Sequence, residues 1–464
     1  MRKLLIIFLL VLTACSSLTP QAWIVSPATT SLLKVIAHPD GPLYVGDQVS
    51  FEVIDSTKTL PPNSRVGISL AGKSLGDQNF GSYGLGGRSQ ATFYWAWDTH
   101  GLKPGEYTLT FSLKSGTLQW DEKIRLYPAK SVPAPEPDAH WKTMETVCCT
   151  VHYISGTAAE RDLDLLSALV ETQLADVEKR MGEKAVKKIS ITYFPRTLGH
   201  GGFAADGIYI SYLDRNYAGG TTAQITHHEM VHWLDSQIGG KLRPSILQEG
   251  LAVYMSDGHF KAEPILPRLA ALVDLGWYIP LPRLIDSFYN SQHEIGYAEA
   301  AGLVGYLVTT YGWEGFNRFY RSISPVPQGT ESSAMDVALQ AQLGISLERL
   351  EQNFLIFIHD QVYDDAIRTD LRLTVNFYDT VRRYEAVLDP SAYFLNAWLP
   401  DVVHMRQYDI VADFLRHPDS LLNQQIESLL VEGDVNLRTK AYTAADIKIR
   451  MVNALLDLYG SSVQ

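Results

Sequence analysis

His228-Glu229-Met230-Val231-His232 is the stretch of this sequence best equipped for chemistry. On an α-helix, residues four apart share one face, so the two imidazoles converge on a single ion and Glu229 lies beside it, close to a metal-bound water. The flanking residues predict that helix: Thr221 followed three residues later by Gln224 is a capping-box pattern, Ile225, Met230 and Leu234 supply apolar positions, and Gly239-Gly240 is a stop. A second helix is expected to start at Ser245, again with a Gln three residues on, and to carry Glu249 one turn inside. A hairpin of the two helices, turning over Gly239 to Pro244, brings Glu249 to the open side of the histidines. Two imidazoles and one carboxylate are the donor set of a catalytic Zn²⁺ site, one ion per chain, with the fourth position left to water.

Such an ion lowers the pKa of water towards about 7 and polarises a carbonyl, and Glu229 is placed to act as general base. Other residues invite plainer readings. His227 points about 100° away around the helix and is assigned to packing. His200, in the loop His200-Gly201-Gly202-Phe203, is expected to be solvated. Trp233, Tyr254, Tyr306 and Tyr311 are assigned to the core. Cys148 and Cys149 are adjacent and are expected as free thiols on a strand. Asp235 and Asp257 are candidate partners for a ligating histidine.

The two segments together resemble the gluzincin metallopeptidases, the group that includes thermolysin and the aminopeptidase N family. Leu247-Gln248-Glu249-Gly250-Leu251-Ala252 is similar to the Asn-Glu-Gly-Phe-Ala type of third-ligand segment, and Tyr297-Ala298-Glu299-Ala300-Ala301-Gly302-Leu303 looks like the helix whose leading Tyr stabilises the oxyanion. The resemblance spans residues 145 to 360 and implies a catalytic role for Tyr297 beside Glu229. It departs in two places. No Gly-x-Met-Glu-Asn segment precedes the zinc helix, so aminopeptidase specificity is not implied, and the position four after Glu249, an Asp in thermolysin, is Val253. The strand expected near Gly207 to Tyr212 corresponds to the cleft-edge strand of those enzymes, where an extended peptide adds by strand pairing.

The elements that must position these residues belong to a longer chain. At 464 residues, 46% hydrophobic and 19% charged, it has material for several globular cores. A net charge of −12 without clustered Lys and Arg excludes a phosphate-tracking nucleic-acid binder. Arg2-Lys3 and the apolar run Leu4 to Leu12 read as a signal peptide over residues 1–14, too short to span a bilayer. Leu12-Thr13-Ala14-Cys15 looks like a lipobox, making Cys15 the lipidation site and residues 15–29 a Ser/Thr/Pro-rich tether. Short alternating runs at 44–53, 65–70, 91–97 and 107–113 predict a β-sandwich over 30–128, and Gly101 to Phe111 resembles a strand corner of bacterial immunoglobulin-like domains.

Pro128, Pro133, Pro135 and Pro137 mark a stiff linker, 129–140. A strand at 147–154, a helix at 158–181 and strands at 189–194 and 207–212 open the α+β gluzincin-like domain, 141–365, and a helical C-terminal extension covers 366–464. The whole is expected to be multidomain: an all-β immunoglobulin-like sandwich, an α+β metallopeptidase domain and helices. The expected protein is an extracytoplasmic, lipid-anchored zinc metallopeptidase acting on peptide or protein, with no nucleic-acid partner. The alternative is a catalytically silent surface lipoprotein that binds a protein or glycan through its sandwich and helical tail.

Overall fold

A computed structural model describes residues 33–61, 63–114 and 118–463. The signal peptide, the tether and Cys15 lie outside the described residues. Strands β1 (Leu33–His38), β2 (Leu43–Tyr44), β3 (Gln48–Asp55), β4 (Arg65–Leu70), β5 (Lys73–Asn79), β6 (Gly81–Tyr83), β7 (Arg88–Asp98), β8 (Gly105–Leu113) and β9 (Gln119–Tyr127) form two facing sheets, ordered β1-β3-β7-β6 and β2-β9-β8-β4-β5. The Val, Ile and Phe alternation that marks them as strands also builds the core between them. Phe51 and Val53 on β3 face Ile68 on β4 and Phe111 on β8, all buried, and Phe51 meets Phe111 edge-on at 5.9 Å.

The Pro-rich linker makes two 3-10 turns, Ala129–Ser131 and Glu136–Asp138. Next come β10 (Trp141–Glu145), β11 (Cys149–Ile154), α1 (Ala158–Arg161), α2 (Leu163–Met181), β12 (Ile189–Phe194), β13 (Gly202–Ala204) and β14 (Ile208–Ser211), with the sheet ordered β10-β11-β12-β14-β13. Two expectations change here. Cys148 and Cys149 are joined as a disulfide. The chain bends at 147–148 before entering β11, so the pair escapes the alternation of faces that a straight strand imposes. And β14 is no edge: it is parallel to β12 on one side and antiparallel to β13 on the other, so the edge at this end of the sheet is β13 and the opposite edge is β10.

Helices α3 (Thr222–Ile238), α4 (Ser245–Met255), α5 (Ile265–Asp274), α6 (Leu281–Asp286), α7 (His293–Ser322), α8 (Glu331–Leu343) and α9 (Leu347–His359) pack with α2 and the sheet around one large core. Gly250 of α4 explains how closely α4 and α7 approach. A Cβ there would stand 2.4 Å from the carbonyl oxygen of Ala300, so only glycine admits the contact that seats Glu249 beside α7.

The last helices are α10 (Asp365–Leu388), α11 (Val402–Gln407), α12 (Ala412–Leu415), α13 (Leu421–Arg438) and α14 (Tyr442–Val463). They share cores with what precedes them. Phe377, Tyr378 and Tyr384 of α10 bury against Tyr217 and Phe260 as well as α13 and α14, and Met405 and Phe414 bury against Phe194 and Tyr209. The segment from 391 to 416 also holds the sandwich. Tyr83 donates to the carbonyl of Ala397 at 3.1 Å, Trp398 stacks on His38 at 3.9 Å, and Arg416 pairs with Asp47 at 2.6 Å. The chain is therefore a multidomain α+β protein whose parts are tied together by the C-terminal segment. No described helix is long and apolar enough to cross a membrane.

Candidate metal centre

Helix α3 starts as its sequence predicts: Thr221 caps it by accepting from the amide of Gln224 at 3.2 Å. The Gln224 side chain does not return to the cap. It donates to the carbonyls of Ser256 and Gly258 at 2.9 and 3.0 Å, tying the start of α3 to the end of α4. In α4, Ser245 is the first helical residue and the position before it is Pro244, so the second capping box does not form. Gln248 donates instead to the carbonyl of Arg243 at 2.5 Å, closing the turn between the helices.

The hairpin so fixed brings His228, His232 and Glu249 together. His232 Nε2 lies 3.0 Å from His228 Nε2 and 3.1 Å from Glu249 Oε2, and His228 Nε2 lies 3.3 Å from the same oxygen. Ligand atoms about 2.0–2.1 Å from a tetrahedral Zn²⁺ stand about 3.3 Å apart, so the donor set and its spacing fit that ion. Burial opposes charge on Glu249, yet the two imidazoles hold its carboxyl well below the usual range. Protons and a metal compete for the same imidazole nitrogens.

Glu229 sits in the same floor, 7% exposed. Burial, helped by the Glu249 carboxylate and resisted by His232, pushes it up to about 7. Gly202 of β13 faces it: a Cβ there would lie 3.3 Å from Glu229 Cγ and 2.6 Å from Ile225 Cγ2. Tyr297, in the first turns of α7, is buried and stacks on His259 at 4.1 Å. Burial and then Glu249 keep its hydroxyl protonated, with a pKa well above the ordinary value. His227 turns to Gln173, 3.0 Å away. Asp235 is committed to Arg243, Arg321 and Tyr320, and Asp257 to Arg180, so neither orients a ligating histidine.

Three features escape the sequence. Tyr289, in a 3-10 turn before α7, donates to Glu249 Oε1 at 2.6 Å, a contact that no local spacing signals. His200 is not solvated: both its ring nitrogens are buried, and it stacks on His293 at 3.9 Å. Burial holds His200, His259 and His293 well below the ordinary imidazole value. The third is the makeup of the cleft, roughly 540 Å³, within the range of small-molecule and peptide sites. The zinc-type triad, Glu229 and Tyr297 line one side, the free edge β13 lines another, and Leu85 from the β6–β7 hairpin of the sandwich reaches in with Phe394. Trp233, assigned to the core, is buried and also lines the cleft.

No family model matches the sequence, and no curated protein matches it. Among solved structures, the crystal structure of an aminopeptidase N family protein from Idiomarina loihiensis aligns over 79% of this chain and 77% of its own, at 11% identity and a TM-score of 0.26. A likeness that slight carries no weight, and the case for a function lies in the site's own geometry.

Proposed function

We propose that this chain is a zinc-dependent metallopeptidase of gluzincin type that hydrolyses peptide bonds outside the cytoplasm, held to a membrane by a lipid on Cys15. The observation that carries the reading is the convergence of His228 Nε2, His232 Nε2 and Glu249 Oε2, none more than 3.3 Å from another, on the floor of an open cleft with Glu229 alongside. His228, His232 and Glu249 would hold one Zn²⁺, which supplies Lewis acidity, making water a ready nucleophile and polarising the scissile carbonyl.

The chain's own residues do the rest. Glu229, poised near neutrality, takes the proton of the attacking water and delivers it to the leaving amine. Tyr297 stays protonated and donates to the oxygen on which charge develops. Tyr289 fixes the orientation of Glu249. An extended peptide would align along β13, the sheet edge that borders the cleft, with Leu85 and Phe394 facing it from across. The immunoglobulin-like sandwich would then be a cleft wall as well as a spacer.

The test is hydrolysis of a quenched fluorescent peptide library by the purified chain. Hydrolysis that a chelator abolishes and Zn²⁺ restores is the expected result. No hydrolysis in any condition, or hydrolysis indifferent to chelation, overturns the reading.

A further inference from the structure

Past Glu249, two histidines of the cleft wall and a glutamate beside them make a second set of the same donor types. His200, in the loop between β12 and β13, and His293 and Glu294, the first two residues of α7, each bring one ligand atom to within 4.8 Å of the others. The rings of His200 and His293 stack at 3.9 Å, and Phe394 covers His200 at 4.3 Å. His293 is only 6% exposed. Its Nε2 and both ring nitrogens of His200 are buried without a hydrogen-bond partner among the described residues.

Buried polar atoms in folded proteins are nearly always satisfied, so unpaired nitrogens gathered in one place point to a missing ligand. The third member narrows its chemistry. Glu294 is held by Arg382, whose guanidinium donates to Oε1 at 2.9 Å and Oε2 at 2.8 Å. Oε2 also accepts from the Gln292 side-chain amide at 2.6 Å, so Oε1 is the oxygen that keeps a lone pair for an ion, and outer hydrogen bonds of this kind are how ligating carboxylates are usually oriented. Imidazole lone pairs and a carboxylate oxygen together select a divalent transition-metal ion over an anion or an apolar group.

We propose that His200, His293 and Glu294 form a second site for a divalent transition-metal ion of the Zn²⁺ class, weaker than the first. It is weaker because Arg382 offsets the carboxylate's charge, because the stacked rings of His200 and His293 must turn out of their 18° parallel arrangement to aim their in-plane lone pairs at one ion, and because the donors must close in from separations of up to 4.8 Å, whereas the first triad already stands at 3.0 to 3.3 Å. His259 lies between the two sets, its ring 5.3 Å from His228 and 5.1 Å from His293. The proposal goes beyond the peptidase reading and does not depend on it.

The test is titration of the chelator-stripped full chain with Co²⁺, followed by its visible absorption, with bound metal counted by mass spectrometry. The expected result is two equivalents, the weaker of them lost in His200→Ala and in Glu294→Gln while the tighter remains. The tighter is lost in His232→Ala while the weaker remains. His200 is a loop residue, and the surviving first-site spectrum in His200→Ala reports that the variant is folded. A single equivalent that vanishes in His232→Ala and survives in His200→Ala overturns the proposal, as does no binding at all. A single equivalent with the opposite pattern supports this site and removes the peptidase reading instead.

Discussion

Tyr289 donates its hydroxyl to Glu249 Oε1 at 2.6 Å, while Oε2 of the same carboxylate faces His228 and His232. One oxygen is thus committed to holding the side chain in place and the other is free to ligate. Tyr289→Phe leaves a buried, charged oxygen short of its donor and lets the carboxylate swing. The expected outcome is Zn²⁺ binding weaker by about 10- to 100-fold, read by competition against a chromophoric chelator. An unchanged Kd in a folded Tyr289→Phe protein removes Tyr289 from the centre.

Glu229 and His228 are neighbours in sequence, and the proposed function gives them separable roles. Glu229→Gln preserves size and burial but cannot accept a proton, so hydrolysis falls by roughly 10²- to 10⁴-fold with stoichiometric Zn²⁺ retained. His228→Ala loses both metal and turnover. Measuring bound metal and peptide hydrolysis on the same preparations checks the pair, and near-normal turnover in Glu229→Gln would end the general-base assignment.

What the sequence discloses and what it hides differ in range. The meeting of His228 with His232 is local, set by helical periodicity, and the turn that brings in Glu249 is six residues long, Gly239 to Pro244, so both can be read from spacing. Tyr289, His200, His259 and His293 come from turns, loops and a helix start that meet only through the packing of α4 against α7 and of the C-terminal segment against the sheet. His200 follows Gly199 and precedes Gly201, a pattern that speaks of solvent, and rings that arrive from far along the chain, His293, Phe260 and Phe394 among them, cover it. The edge of the sheet is hidden from the sequence for a similar reason. Gly202–Ala204 is too short to register as a strand, yet it is the segment that ends the sheet.

Gly202 deserves its own test, because its missing side chain makes room for Glu229. In Gly202→Ala the new methyl would meet Ile225 Cγ2 at 2.6 Å and Glu229 Cγ at 3.3 Å. Overpacking of this kind costs about 1–3 kcal/mol of stability. Displacing the base lowers kcat by roughly 10- to 100-fold with the metal still bound. Thermal unfolding, metal content and kcat together decide it, and a Gly202→Ala enzyme with normal kcat would show that β13 does not constrain Glu229.

His38 gives the sandwich a pH-dependent hold on the rest of the chain. Its ring stacks on Trp398, its Nε2 lies 3.0 Å from Glu52 Oε2 and its Nδ1 3.0 Å from Asp40 Oδ1. Burial alone would lower its pKa, but Asp40 and Glu52 outweigh burial and raise it to about 9. The other charges around it are Arg196 on Asp40, Arg88 on Glu52, and Asp413 hydrogen-bonded to Trp398. A pKa raised on folding stabilises the folded state fully below the unfolded value of about 6.5 and loses that contribution as pH climbs through about 9. The contribution at stake is on the order of 3 kcal/mol. Unfolding of the wild-type chain should therefore move to lower temperature between pH 6.5 and about 9, while His38→Gln, less stable throughout, should be flatter over the same interval. If the two proteins lose stability in parallel, the titrating group lies elsewhere and His38 is not what fastens the sandwich.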